Sequence, residues 1–545
     1  MNLLTVAEMR EVERAADAAG LSFAEMLANA GAAAAAEIWG RLSDEATRIV
    51  VLCGPGNNGG DGLVCADRLA ESVAAAGRKL LVQVCLLRPR DAADPLLPPL
   101  SAAGVSVLSL DGEGAQRDLR AALLKADVIV DALLGTGVSR QVDGPLRDVL
   151  REVAQSRERG RRGRRPSRLR GAEFSPALVA LDGPTGMGYD TGSLDSAAVP
   201  ADLTITFHAA KRGHFCYPAA GARGELIVAK IGIERLASGE GTTGAALRAA
   251  LRPPLSVAVL SDAEVADRLP SRRPDANKGS HGRVLIVGGS SDYIGAPALA
   301  AAAALRGGAG LVTLAVPDAL RPTLAALVPE AVYAPATLAG LEKVAGLNAA
   351  LIGPGLGRAD GGRAALGAFL TAMAAMKTRL NGCVFDADAL NLLSEDEALI
   401  EYRLSALPSV LTPHAGEMAR LTGLPVDEVQ GDRIGVASRF AKEWRATVVL
   451  KGANTVVAAT DGRAWVLDSA NPALASAGTG DVLAGLIAGL MGQGLRPLDA
   501  ALAGAAMHAR AGEMWRAANG DAGLLASDLL PLLPRARAAI AAMMP

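Results

Sequence analysis

Three apolar runs in the first half of the chain each end on acidic or amide side chains set among glycines. TRIVVLC (47–53) leads into GPGNNGGDG (54–62), ADVIVDAL (126–133) overlaps DALLGTG (131–137), and ALVALD (177–182) overlaps LDGPTG (181–186). Glycines let backbone N–H groups approach an anion closely, and a helix N-terminus that follows adds favourable partial charge. Asn57, Asn58 and Asp61 supply oxygens that can orient a ribose or coordinate a hard cation. Asp131 and Asp182 sit where a doubly wound sheet binds its ligand, at strand carboxyl ends. Taken singly, either aspartate also fits a plain helix cap; three such loops in succession favour a ligand.

The second half carries AGTGDVLAGL (477–486), which enters an Ala/Gly/Leu helix. Gly478, Thr479 and Gly480 can form an anion hole for a phosphate, and Asp481 then stands beside it, placed to take a proton from an attacking hydroxyl. There is no G-x-x-x-x-G-K-[ST] motif, so ordinary P-loop chemistry is disfavoured. KGANT (451–455) offers an ammonium and backbone donors to a polyphosphate, and TPHAGE (412–417) contributes His414 and Glu417. GGSSDYIGA (288–296), GPGLG (353–357) and FDADAL (385–390) are three more loops of the same kind.

The elements that must hold these loops read as two α/β series. Residues 5–40 form helices, with Val6, Met9, Val12 and Ala16 on one face. The first strand series is 47–53, 79–87, 126–133, 177–182 and 203–207; the second is 283–289, 310–317, 349–355, 383–388, 409–414 and 447–452. Their continuous apolar character suits strands covered on both faces of a parallel sheet. Residues 236–256, rich in Gly, Ser and Thr and closing on Pro253-Pro254, read as the linker. Residues 151–170 hold nine Arg against two Glu and read as a solvated, mobile insertion without apolar periodicity.

Composition narrows the function classes. The chain of 545 residues balances 55 Lys+Arg against 57 Asp+Glu, so it lacks the basic footprint of a nucleic-acid binder. Aromatics are 3%, too few for base-stacking platforms. The five cysteines lack C-x-x-C spacing and suit reduced thiols, and no apolar run spans a bilayer. A cytoplasmic enzyme with no nucleic-acid or membrane partner is expected. Glycine, 62 residues or about 11%, exceeds the usual share near 7%.

The ordered set GPGNNGGDG, DALLGTG and LDGPTG, with LTVAEMREVE near the start and TFHAAKRGH at 206–214, resembles the YjeF amino-terminal family of NAD(P)H-hydrate epimerases over residues 1–235. HGRVLIVGGS, IGPGLG, DADALN, LTPHAGEM, KGANT and NPALASAGTGDVLAGLIAGL resemble the ADP-dependent NAD(P)H-hydrate dehydratases, the YjeF carboxy-terminal family, over residues 257–545. The fold so implied is a Rossmann-like three-layer domain followed by a ribokinase-like α/β domain. The activity implied is epimerisation of R- and S-NAD(P)HX, then dehydration of the S form with ADP, giving NAD(P)H, AMP and phosphate.

The same resemblance implies site residues. Asn57, Asn58, Gly59, Gly60 and Asp61, with Gly135, Thr136, Gly137, Val138, Ser139, Arg140, Gln141 and Asp182, hold the hydrated cofactor; Asn58, Asp131 and Thr185 bind potassium. Ala296, Gly355, His414 and Asp481 contact the S-hydrate, while Lys451, Gly452, Ala453, Asn454 and Thr455, with Asn471, Gly478, Thr479 and Gly480, bind ADP and its magnesium. Asp182 and Asp481 are the expected catalytic groups, and a homo-oligomer is expected. Lys211 is a secondary candidate whose plainer reading is a surface salt bridge. The family's usual Asp-Ile-Pro-Ser-Gly is here Asp182-Gly-Pro-Thr-Gly186: Thr185 keeps the hydroxyl, and Gly183 is expected to loosen the loop. The competing readings are a ribokinase-like small-molecule kinase fused to a nucleotide-binding domain, and a non-enzymatic sensing module in the first half. A stable phosphorylated product from ATP would mark the kinase, whereas AMP and phosphate from ADP with hydrated NADH would mark the repair enzyme.

Overall fold

A computed structural model of the protein describes residues 1–137, 141–238, 256–376, 380–395 and 407–543. The chain divides into two compact units, one over Asn2–Leu255 and one from Ser256 to Pro545. Most of the expected linker therefore lies outside the described residues, as do Val138, Ser139 and Arg140. Among the described residues no helix is long and apolar enough to cross a membrane, and all five cysteines are buried and unpaired.

In the first unit, β1 (Leu3–Leu4) pairs only with β8 (Ala210–Lys211). The main sheet uses β2 (Arg48–Cys53), β3 (Leu81–Leu86), β4 (Ser106–Ser109), β5 (Val128–Ala132), β6 (Ala177–Leu181), β7 (Leu203–Phe207) and β9 (Glu225–Ala229). Their order is β4-β3-β2-β5-β6-β7-β9, and every pairing is parallel. Two strands lie on one side of β2 and the later ones on the other, so the topology reverses between β2 and β5. Crevices for ligands open at such a reversal, beyond the strand carboxyl ends. Ile49, Val51, Val128, Val130, Val179 and Leu181 face one buried cluster, and Val50, Leu52, Ile129, Leu178 and Ala180 the other. Covering on both faces explains why these strands read as unbroken apolar runs.

The described residues of the second unit form ten strands: β10 (Val257–Val259), β11 (Arg283–Val287), β12 (Leu311–Val316), β13 (Val332–Pro335), β14 (Ala349–Ile352), β15 (Gly382–Phe385), β16 (Ser409–Leu411), β17 (Thr447–Leu450), β18 (Val456–Ala458) and β19 (Ala464–Val466). The order is β10-β19-β18-β17-β16-β15-β14-β11-β12-β13. Only β18 runs against its neighbours β17 and β19. The eleven strands expected from sequence are all present, most of them shorter at one or both ends than expected, while 203–207 is unchanged and β15 starts one residue earlier, at Gly382. Of the strands not anticipated, β1 and β8 pair with each other, and β4, β9, β10, β13, β18 and β19 lie toward the edges of the two main sheets.

The arginine-rich segment is not a mobile insertion. Residues 151–162 complete a helix, Gly144–Arg162, whose buried Leu146, Val149, Leu150 and Val153 do carry helical periodicity once the preceding turn is included. Several of its charges are paired: Arg157 with Asp202, Arg161 and Arg162 with Glu158, Arg165 with Asp127, and Arg168 with Glu45.

Candidate active sites

The glycines of GPGNNGGDG serve packing more than anion approach. The helix Asn57–Ala75 begins inside the motif, so the expected loop is only the turn 54–56. A Cβ at Gly54 would lie 1.9 Å from Leu133 O, one at Gly59 1.9 Å from Gly54 O, and one at Gly62 2.6 Å from the Ala132 Cβ. These close approaches press the helix start onto the ends of β2 and β5 and leave Asn58 buried beside Gly135, with Asn57 exposed.

Asp131, buried at the end of β5, accepts hydrogen bonds from Thr185 Oγ1 (2.7 Å), Thr185 N (2.9 Å) and Leu133 N (3.2 Å). No cationic side chain pairs with it among the described residues, and burial raises its carboxyl despite the Thr185 hydrogen bonds. Both polar atoms of the Asn58 amide are buried without a partner. A buried carboxylate lacking a counter-ion, an unsatisfied amide and a threonine hydroxyl make a donor set that fits a hard cation.

Asp182 follows β6 with a φ of +64°, and Gly183 N donates to Leu181 O across it (2.8 Å), forming a strained γ-turn. Its Oδ1 accepts from Lys211 Nζ (2.7 Å) and Thr206 Oγ1 (2.8 Å). Lys211 is only 2% exposed, which overturns the surface-salt-bridge reading: its strand turns it inward onto the aspartate. His214, fully buried, accepts from Lys211 N at Nδ1 (3.0 Å), so Nε2 bears the proton and donates to Asp182 O (2.7 Å). Burial first, then the Lys211 charge, takes this imidazole down to about 4, so it is neutral. Thr206 and His214 were missed as site residues because a threonine inside LTITF and a lone histidine carry no spacing signal.

Gly183 does not loosen the loop. A Cβ there would lie 2.9 Å from the Tyr189 hydroxyl and 3.0 Å from Met187 Sδ, so these side chains fill its space. A cavity of about 720 Å³ opens alongside, lined by Gly135, Thr136, Gly137, Gln141 and residues 186–191 among others. Glu13 and Asp61 complete the charged surroundings. Burial raises both carboxyls; Asp182 adds to the rise and Lys211 opposes it.

In the second unit the loops after β11, β14, β15, β16 and β17 carry the expected residues. A Cβ at Gly288 would lie 2.2 Å from Pro354 O, one at Gly353 1.8 Å from Asp386 O, and one at Gly355 2.6 Å from Tyr293 O and 3.2 Å from the Ala296 Cβ. Glycine is thus what lets these turns converge. His414 caps the helix Ala415–Thr422, its Nδ1 accepting from Gly416 N (3.0 Å) and Glu417 N (3.3 Å), while Glu417 Oε2 accepts from His414 N (2.8 Å). The imidazole keeps an exposed edge, with 54% of the side chain accessible. Lys451 Nζ donates to Asp386 Oδ1 (2.7 Å) and lies 3.7 Å from Glu417 Oε2; Thr412 Oγ1 also donates to Asp386 (2.7 Å). Asp386 was named only as part of a loop, yet it holds the lysine.

Thr479–Gly492 is a helix whose N-cap, Gly478, has φ +86°, and Asp481 lies in its first turn. A Cβ at Gly480 would sit 3.4 Å from Lys451 Nζ, which brings the GTGD and KGANT segments together. Burial, then repulsion from Asp386, pushes the Asp481 carboxyl up to about 7 against the pull of Lys451. A carboxyl poised there suits a proton-transfer group. Asn471 caps the turn Pro472–Leu474 through Oδ1, and its Nδ2 is buried without a partner. Asn454, in the left-handed region with φ +52°, turns β17 back into β18, and Arg433 ties that turn by donating to Leu450 O (2.9 Å) and Lys451 O (3.2 Å).

Comparison with known proteins agrees with both halves. A family model described as NAD(P)H-hydrate dehydratase matches residues 284–535, and one described as YjeF-related protein N-terminus matches residues 23–213. Bifunctional NAD(P)H-hydrate repair enzymes from Moorella thermoacetica and Escherichia coli K12 are each 36% identical, covering 98% and 97% of this chain and 96% and 92% of theirs. Among solved structures, the ADP/ATP-dependent NAD(P)H-hydrate dehydratase from Bacillus subtilis is 32% identical with a TM-score of 0.46, covering 53% of this chain and all of its own. A ribokinase-like superfamily protein from Enterococcus faecalis is 26% identical with a TM-score of 0.47, over 53% of this chain and 98% of that one. By identity and coverage along its whole length, the chain belongs to the bifunctional NAD(P)H-hydrate repair enzyme family.

Proposed function

We propose that residues 1–235 epimerise R- and S-NAD(P)HX and that residues 257–545 dehydrate the S form with ADP. The observation that carries the division of labour is the pair of acids, Asp182 and Asp481, each at the ligand-facing end of its own sheet. In the first unit Asp182 takes the proton of the C6 hydroxyl as the C6–N1 bond opens, its electron pair going to the ring nitrogen and C6 becoming a carbonyl, and returns the proton when the nitrogen closes on either face; the other route to the same exchange is loss of hydroxide pushed by the nitrogen lone pair and its return on either face. The cavity beside Gly135, Thr136, Gly137 and Gln141 takes the cofactor, with Asn57 to Asp61 at its helix start. Asn58, Asp131 and Thr185 would hold potassium, which would supply the positive charge that Asp131 lacks.

In the second unit hydroxide is a poor leaving group from the hydrated ring, and phosphorylation remedies this. Asp481 takes the C6 hydroxyl proton as that oxygen attacks the terminal phosphoryl of ADP and AMP departs. The ring nitrogen then expels phosphate, and loss of a C5 proton restores the dihydronicotinamide. Backbone N–H groups of residues 478–480 at the helix start stabilise the transferring charge, with Lys451 beside them. Ala296, Gly355 and His414 face the hydrate; Lys451 to Thr455 and Asn471 face the nucleotide. Among the described residues no cluster of His, Cys, Asp or Glu is arranged as a metal cage, so magnesium would come with the polyphosphate and offset its charge.

The test is racemic NADHX with ADP. Complete recovery of reduced-nicotinamide absorbance, with AMP and phosphate released in step, is expected. A halt at the S fraction would remove the epimerase assignment, and a stable phosphorylated product would remove the dehydratase one.

A further inference from the structure

The ammonium of Lys211 is the least expected charge in the first unit. It is 2% exposed, on a two-residue strand, with two hydrogen-bond acceptors: Asp182 Oδ1 at 2.7 Å and Thr206 Oγ1 at 2.9 Å. Thr206 Oγ1 in turn donates to the same Asp182 Oδ1 (2.8 Å), so lysine, threonine and carboxylate oxygen form a closed triangle. Among the described residues the hydrogen bonds to this carboxylate fall on Oδ1, and none reaches Oδ2. The peptide around this carboxylate is fixed as well: Asp182 N donates to Ile205 O (2.8 Å) and Asp182 O accepts from His214 Nε2 (2.7 Å). One oxygen is thus anchored and the other is presented.

We propose that Lys211 is a positioning residue for epimerisation: through Oδ1 it holds Asp182 ionised and in one rotamer, so that Oδ2 alone meets the substrate proton. This rests on Asp182 being the epimerase base. The energetics fit the geometry. Burial disfavours the Asp182 carboxylate, and the Lys211 charge and hydrogen bond, aided by the Thr206 hydrogen bond, reverse that and hold the group below the ordinary carboxylate range. The other groups facing it work the opposite way. Glu13 and Asp61 are carboxyls that compete for the same ammonium, and Arg10 and His208 act on Glu13 from the surrounding helix and turn. Among the described residues Asp182 is the one of these three carboxyls in contact with the ammonium.

The sign of the test follows. Without the ammonium, burial and the neighbouring carboxyls raise the Asp182 pKa, so a larger share is protonated and inactive at a given pH. Full-length Lys211→Met, given R-NADHX without ADP so that the dehydratase idles, should show the acidic limb of its kcat/KM profile moved up by at least one pH unit. Its rate should approach the wild-type plateau at high pH. Thr206→Val removes one side of the triangle at matched volume and should move the limb the same way by less; it replaces the lysine variant if that fails to fold by thermal unfolding. A folded variant with the wild-type limb and a uniformly lowered rate would overturn the proposal. Asp182→Asn separates the two readings: epimerisation surviving in it removes the base assignment, whereas its loss beside an unshifted Lys211→Met profile removes only the role of Lys211.

Discussion

At the scale of single residues, the two sites solve one problem with opposite charge arrangements. Asp182 touches its ammonium directly and is held ionised, whereas Asp481 shares Lys451 with Asp386 and Glu417 and does not touch it. The pKa near 7 that follows has a definite sign for activity. A base works deprotonated, so dehydration should rise with pH through about 7 and level above it, read as kcat/KM with S-NADHX and ADP. Asp386→Asn removes the repulsion and frees Lys451 to meet Asp481, so the limb should move to lower pH. An unmoved limb would mean that another group sets it. Asp481→Ala should lower dehydration by several orders of magnitude while ADP still binds by calorimetry, because the proposed phosphate hole draws on backbone N–H groups at the helix start and not on that carboxylate. For the cation, Asn58→Ala should abolish any dependence of epimerisation on potassium and leave dehydration unchanged; a retained dependence would place the ion elsewhere.

At the scale of elements, the motif glycines decide how closely helices and strands approach. Gly485 and Gly489 of the helix Thr479–Gly492 face the helix Gly295–Gly307, where an added Cβ would lie 2.1 Å from Ala300 O and 2.6 Å from Ala304 O. These are backbone atoms that cannot swing aside. Gly485→Ala should therefore cost about 1–3 kcal/mol of overpacking, seen as a lower urea midpoint, and should tilt the GTGD turn enough to raise KM for ADP. The same distinction explains what was legible in the sequence. Both central strand series and the strand-end loops could be read, because burial on two faces leaves unbroken apolar runs and ligand turns leave glycine beside acid. The glycine excess was legible but its cause was only half so: Gly54, Gly59 and Gly62 look like anion-binding glycines and act chiefly in packing. The helix Gly144–Arg162 was hidden because its apolar stripe starts at Leu146, five residues before the arginine-rich segment. Lys211 was misread because nothing in TFHAAKRGH says which way a two-residue strand points; its partner, Asp182, lies 29 residues away.

At the scale of the whole molecule, a net charge of −2 and an even composition concealed two units with separate chemistry. Each unit contains its own sheet and its own candidate acid, Asp182 in the first and Asp481 in the second. The two activities should therefore be removable one at a time. With racemic NADHX and ADP, Asp182→Asn should consume the S epimer at the wild-type initial rate and then stop, resuming only as slowly as the R form epimerises unaided. Asp481→Ala should release neither phosphate nor NADH, yet still bring pure R-NADHX to an R/S mixture. Mixing the two full-length variants should restore complete conversion, since R-NADHX epimerised by one can be dehydrated by the other. The rate of that mixture, set against the same total concentration of wild-type sites, then measures whether sharing a chain matters. Equal rates mean that the S-hydrate passes through solution between the units, and a slower mixture means that covalent linkage shortens its path.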